Sequence, residues 1–290
     1  MRRLGFVFCL VFVSVFASSA VAAPAMWKVH DKDTTIHIFG TIHVLKPGTV
    51  WLNDKIQNSL SHADKIFLEI SAEEQQNTQL QLGLVQKYGM LTPPDTIEQH
   101  LPKETADKFM AQMLALGAQK AGVERLKPWM AGVTYETLRF IRLGYKPAAG
   151  VEATVGGLAQ AKGIPLAGLE TTEYQIKLLS SMSDKDAALM IDNLLDDAND
   201  LPGLLEKITV SWTSGDLKTL DDVLNKDDET SPELAEKLLY DRNKLWVQKV
   251  QDILKMKGDY VIAVGSAHLV GDRSLIALLK KAGMKVMREQ

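Results

Sequence analysis

The chain has 290 residues, 46% apolar, 24% charged and 7% aromatic, a globular composition that excludes collagen-like, low-complexity and disordered chains. Its 33 Lys and Arg against 36 Asp and Glu give a formal charge of −3, so no basic excess points to nucleic acid as a partner. A chain of this length buries roughly 75% of its unfolded surface, so its core needs neither disulfide nor structural metal. One large domain with a helical insertion is the simplest expectation.

Arg2 and Arg3 precede an apolar run from Leu4 to Phe16, followed by small residues ending in Ala20-Val21-Ala22. A charged start, a short apolar core and an A-x-A ending predict a secretory signal peptide over residues 1–22. Cleavage is placed after Ala22, because a cut one residue later would leave Pro24 directly after the scissile bond. The apolar stretch falls short of the ~20 residues of a spanning helix, so removal is expected rather than anchoring. The expected mature chain, 23–290, is periplasmic or secreted and keeps no stable membrane anchor. Cys9, the single cysteine, leaves with the leader, which excludes cysteine catalysis and thiolate metal ligands.

Trp27–His30 and Thr35–Gly40 flank Asp31-Lys32-Asp33 and predict a hairpin. Asn53–His62 reads as an amphipathic helix and Lys65–Ile70 as a strand. From Glu73 to Leu143 the pattern is mostly helical, punctuated by Thr92-Pro93-Pro94 and Lys127-Pro128. A helix over Val151–Lys162 leads to a strand at Ile164–Leu169. Helices resume from Thr172 to about Lys257, broken near Pro202, Gly215 and an acidic loop Asp221–Thr230, with Ser231-Pro232-Glu233 as a helix start. Tyr260–Val264 is a predicted strand, Arg273–Lys281 a helix stopped by Gly283, and Met284–Arg288 a final strand. Strand–helix alternation at both ends predicts an α/β fold: a mixed, largely parallel sheet covered by helices, with helical insertions at about 73–150 and 172–257.

One motif is written twice. Gly40-Thr41-Ile42-His43 closes the first strand region, and Gly265-Ser266-Ala267-His268 closes the late one. Glycine lets the backbone turn or approach a ligand closely, and a histidine three positions on is presented at the strand's carboxyl edge. Two further strands end in a single carboxylate, Glu69 after Ile66-Phe67-Leu68 and Glu170 after Gly168-Leu169. Ligands of open α/β sheets bind outside the carboxyl ends of the strands, so parallel neighbours would bring two imidazoles and two carboxylates to one cleft. That set suits a divalent metal with an open position for water, and equally a metal-free acid/base site. Bland roles stand beside these: Glu69 capping the helix after Ser71, Glu170 capping before Thr171 and Thr172, and Glu152 as a first-turn dipole partner. His30, His37, His62 and His100 lack the motif, and His37 lies within a strand.

Arg242 follows Leu238 by four residues and precedes Trp246 by four, which puts it on the apolar face of its helix. A guanidinium there needs an anion, either an internal carboxylate or a substrate carboxylate or carbonyl, and the amide of Asn243 can orient either. H-E-x-x-H, G-x-S-x-G and a Gly-rich phosphate loop are missing, which disfavours zincin, serine-hydrolase and nucleotide chemistry.

Gly40-Thr41-Ile42-His43, Leu68-Glu69, Gly168-Leu169-Glu170, Arg242-Asn243 and Gly265-Ser266-Ala267-His268-Leu269 recur in this order in one family. From about Trp27 to the C-terminus the chain resembles the TraB/PrgY/GumN proteins, in their secreted GumN-like branch. That family is related to the Tiki proteins, metal-dependent proteases that use two Gly-x-x-His motifs and a Glu. It also resembles the erythromycin-esterase and ChaN-like superfamily, which spans hydrolysis and haem or iron binding on one fold. The resemblance implies His43, His268 and Glu69 as the metal or catalytic set, with Glu170 and Arg242 in support. Unlike PrgY and Tiki proteins, this sequence carries no C-terminal membrane helix, which turns the expectation away from membrane-bound pheromone or signalling substrates.

The resulting expectation is a secreted metal-dependent hydrolase of peptide or protein substrates. A divalent ion (Zn, Mn or Co) held by His43, His268 and a carboxylate would activate water. Glu69, if not a ligand, would take the water's proton, and Arg242 or Asn243 would steady the oxyanion. The rivals are a metal-free esterase-like hydrolase and a non-catalytic periplasmic protein for haem, metal or polysaccharide assembly.

Overall fold

The computed structural model describes residues 23–196, 200–225 and 232–290. The leader expected over 1–22, with Cys9, and Ser231 lie outside the described residues, and the helix expected from Ser231 is present from Pro232.

The hairpin forms as its composition demands. β1 (Met26–His30) and β2 (Thr34–Thr41) pair antiparallel, and Asp31 Oδ1 accepts from the backbone N–H of Asp33 and Thr34 to hold the turn. β3 (Lys65–Ile70), β4 (Leu166–Glu170), β5 (Gly258–Gly265) and β6 (Val286–Arg288) complete the sheet, in spatial order β4-β3-β5-β2-β1-β6. β4, β3, β5 and β2 run parallel, while β1 is antiparallel to both of its neighbours. The sheet is mixed and largely parallel, and the chain is α/β.

Alternation along the strands sends successive side chains to opposite faces. Phe39, Ile66, Leu68, Val261 and Ala263 meet Ile56, Leu60, Val155, Ala159 and Trp212 from the helices Asp54–Ser61, Val151–Lys162 and Leu201–Ser214. Ile36, Ile38, Ile262 and Val264 meet Trp246, Val250 and Leu275 from Asp241–Leu254 and Leu275–Lys281 on the other face. A third core lies apart from the sheet, where Phe109, Met113, Tyr135 and Ile191 join helices Lys103–Ala115, Pro128–Arg142 and Asp184–Asp196. The long middle of the chain is therefore helical with a core of its own.

Boundaries shift where a side chain caps. Asn53 lies outside its helix and accepts from the Ile56 N–H, and Ser274 does the same for Ala277, so the last helix starts at Leu275 rather than Arg273. The final strand starts at Val286, not Met284. Of the acidic loop read over Asp221–Thr230, Asp221–Leu224 instead finish the helix Leu217–Leu224, whose Leu220 is buried against the sheet. Tertiary packing overrode the acidic composition there. Among the described residues no helix is long and apolar enough to cross a membrane.

Candidate functional site

The two Gly-x-x-His motifs lie side by side. β2 and β5 are parallel neighbours, with Thr41 opposite Gly265, and Ser266 Oγ donates to the Thr41 carbonyl at 2.9 Å. β3 flanks β5 on the other side and β4 flanks β3, so Glu69 and Glu170 arrive at the same sheet edge. Gly265 is the point of convergence. A methyl on its Cα would lie 3.0 Å from Glu69 Oε1, 3.7 Å from His268 Cδ2 and 3.8 Å from His43 Nε2. The missing side chain at this glycine is what lets all three groups approach one another.

The two histidines sit differently. His268, in a short 3₁₀ turn (Ser266–Leu269) after β5, is buried, with its ring 4.3 Å from that of Trp246. Asn243 Nδ2 donates to the Arg273 carbonyl, which leaves Asn243 Oδ1 to accept from His268 Nδ1–H at 2.7 Å. His268 Nε2 then accepts from Arg242 Nη1 at 3.0 Å. Burial, with the charges of Arg242 and His43 and against that of Glu69, pushes this imidazole down to about 3, so it is neutral with both nitrogens engaged.

His43 follows β2 in a segment whose Leu45 bridges to Lys146 instead of entering a helix directly. Its side chain is 67% exposed, and Nδ1 lies 2.8 Å from Glu152 Oε1. Glu152 occupies the first turn of Val151–Lys162, and that helix is anchored beside His43. The Val151 N–H donates to the Ile42 carbonyl at 3.1 Å, and a methyl on Gly150 would strike the His43 carbonyl oxygen. Thr41 Oγ1 donates to the same Glu152 oxygen. Desolvation opposes the imidazolium, but the hydrogen bond and charge of Glu152, helped by Glu69, raise His43 to about 9. Its Nε2 faces the cavity.

Between them stands a carboxylate–guanidinium lattice. The Arg242 Nε–H is shared between Glu170 Oε1 at 3.1 Å and Oε2 at 3.0 Å; Nη2 reaches Glu69 Oε2 and Glu170 Oε2; Nη1 serves the Leu238 carbonyl and His268. The five N–H groups of a guanidinium all find protein partners in this set, so Arg242 and Asn243 position other groups. Burial works against a charged Glu69, yet the charges of Arg242 and His43 and the Gly265 N–H at 2.7 Å hold its carboxyl well below the usual carboxylate range. Glu170 accepts from Trp246 Nε1 at 2.9 Å, and Gln175 Nε2 donates to Glu69 at 3.0 Å and Glu170 at 3.1 Å.

Glu69, Glu170, Arg242, Asn243 and His268 thus belong to one hydrogen-bonded network, and His43 lines the same cavity from a separate pair. Glu152 is the partner in that pair. Sequence reasoning missed Gln175 and the use of Trp246 as a donor. Trp246 was visible as the next turn of the Arg242 face, whereas Gln175 carries no motif and is recognised only from its place early in the helix after Glu170.

The donor set bears on the metal expectation. His43 Nε2 and Glu69 Oε1 face a shared space, but the lone pair of His268 Nε2 is directed at a guanidinium. A catalytic zinc takes three protein ligands. The residues as arranged offer two, and among the described residues no group of three or more His, Cys, Asp or Glu is placed to hold an ion.

Two cavities meet at this point. One, of about 410 Å³, has five leucines in its wall, and the other, of about 630 Å³, is lined largely by glutamines and small residues; His43, Glu69 and Gln175 border both.

The chain is 22% identical over 244 residues to the uncharacterized protein YbaP of Escherichia coli, covering 84% of this chain and 87% of that protein. The match to YbaP of Shigella flexneri has the same identity and coverage. No solved structure matches. The model of the TraB/PrgY/gumN family matches residues 25–288, and the chain belongs to that family.

Proposed function

We propose that this protein is a hydrolase of peptide bonds in which Glu69 takes the proton of the attacking water and His43 protonates the leaving amine. The carrying observation is the opening above Gly265, where His43 Nε2 and Glu69 Oε1 face a common space while both nitrogens of His268 are engaged. Glu152 holds Nδ1–H of His43 and keeps the ring an imidazolium, whose Nε2–H passes its proton to the leaving amine. Glu69, ionised beside Arg242, orients the attacking water and takes its proton, which recharges His43 at the end of the turnover. His268, Asn243 and Gln175 keep Arg242 and Glu69 in register.

This reading needs no resident metal, because Arg242 occupies the third donor. The metal-dependent form of the reaction is favoured by one observation: Glu69 and Glu170 face a single guanidinium, one negative charge in excess, which favours a cation. The leader-like segment over 1–22 supports a place outside the inner membrane, periplasmic or secreted.

The experiment measures bound metal per purified chain and cleavage of a fluorogenic peptide mixture with and without chelator. Cleavage that survives chelation and vanishes in His43→Ala and Glu69→Gln supports the metal-free reading. Cleavage lost with the metal and restored by Zn, Mn or Co replaces it with the metal-dependent one. No turnover under any of these conditions defeats both and leaves a binding or assembly role.

A further inference from the structure

The two cavities differ in chemistry. Leu178 and Leu179, on the helix Thr172–Ser180, face Leu234, Leu238 and Leu239 across the smaller one, and all five are only half-buried. Leu238 and Leu239 belong to a π-helical turn (Glu236–Tyr240), a rare geometry concentrated at functional sites. Half-buried leucines gathered round an open space leave apolar surface for a ligand to cover. The larger cavity carries Gln75, Gln76 and Gln160, whose amides both donate and accept, and its floor includes Gly156 and Gly157. A methyl on either glycine would meet nothing within 4 Å, so crowding within the fold does not require a glycine at either place.

From this asymmetry we infer that the substrate is an extended peptide whose aliphatic or aromatic residue beside the scissile bond fills the leucine cavity, while its backbone runs over the glutamine–glycine groove. The groove matches a peptide backbone because glutamine amides complement both N–H and C=O, and an open helical floor allows close main-chain approach. The inference rests on the hydrolase reading, since the two cavities meet at His43 and Glu69. Leu179 and Gln160 are the specificity residues on the two sides.

The test uses internally quenched peptides that vary one residue, Leu, Phe, Ala or Asp, within a fixed polar frame, together with a leucine peptide carrying a non-cleavable reduced amide. Wild type is expected to favour the Leu and Phe peptides over Ala and Asp by about tenfold or more in kcat/KM, the usual discrimination of an apolar pocket. Leu179→Gln should reduce that preference about tenfold, mainly through KM, while Leu179→Met retains it, and both should melt as wild type does. Gln160→Ala should raise KM for every member of the series alike. A flat or acid-preferring profile, or a preference untouched by Leu179→Gln, overturns the inference. If wild type cleaves nothing, the hydrolase reading fails separately. Calorimetric binding of the reduced-amide peptide, weakened about tenfold by Leu179→Gln, would still support the pocket, and binding absent or unaltered would overturn it.

Discussion

Gly40 and Ser266 lie in contact, so that a methyl on the first would come within 2.5 Å of Oγ of the second. The opening glycine of one motif is thus the seat of the other motif's second residue. Gly40→Ala forces Ser266 and the turn carrying His268 to move, an overpacking that costs about 1–3 kcal/mol. Urea unfolding should show the loss, and adding Ser266→Ala should recover part of it by removing the oxygen. An unchanged midpoint in Gly40→Ala would contradict this contact.

Arg242 neutralises two carboxylates that are nearly sealed from water, Glu69 at 13% and Glu170 at 5% side-chain exposure. Arg242→Met leaves both without their cation, and breaking a buried pair from one side costs about 3–5 kcal/mol. The double variant with Glu170→Gln should be more stable than Arg242→Met alone. Equal stability of the two would show that Glu170 does not depend on the guanidinium.

Gly156 and Gly157 sit in mid-helix with open space where a side chain would be. Alanine at each should stabilise the fold by roughly 0.4–1 kcal/mol through the unfolded chain. Peptide turnover should fall at the same time, because the added methyls stand in the groove. Thermal melting and kcat/KM measured on the same preparations check both halves, and a rise in activity would count against the groove.

His100 is held at both ring nitrogens, by Asp184 at 2.7 Å and by Asp95 at 2.9 Å, and ties the segment after Pro94 to the helix Asp184–Asp196. The hydrogen bond of Asp184, then that of Asp95, outweighs burial and raises its pKa. A raised folded value means that His100⁺ contributes its full stability below the unfolded pKa of about 6.5 and loses it as pH climbs through the folded value. The stability gap between wild type and His100→Gln should therefore be widest in mild acid and narrow toward alkaline pH. A gap constant across that range would show that the charge contributes nothing.

Legibility tracked the physics behind each signal. Twin glycine–histidine motifs after apolar strands located both imidazoles, and the helical period that placed Arg242 among leucines correctly demanded an anion. Glu69 and Glu170 showed as single carboxylates ending apolar runs. What one sequence could not carry was lateral strand order, and with it the fact that Glu69 and Glu170 share one cation. Side-chain direction was equally hidden: the two histidines look alike on paper, yet one is buried with both nitrogens engaged and the other turns Nε2 outward. Gln175 was invisible because a helix-start glutamine has a dozen ordinary uses.

The strand that separates β3 from β2 is β5, drawn from the last part of the polypeptide. Every earlier strand must therefore wait, as two unjoined pieces, for a segment synthesised more than two hundred residues after the first hairpin. Such non-local pairing is slow to assemble. A nascent or C-terminally shortened chain therefore cannot unite His43 with Glu69, so any catalytic power arrives only when synthesis is almost finished.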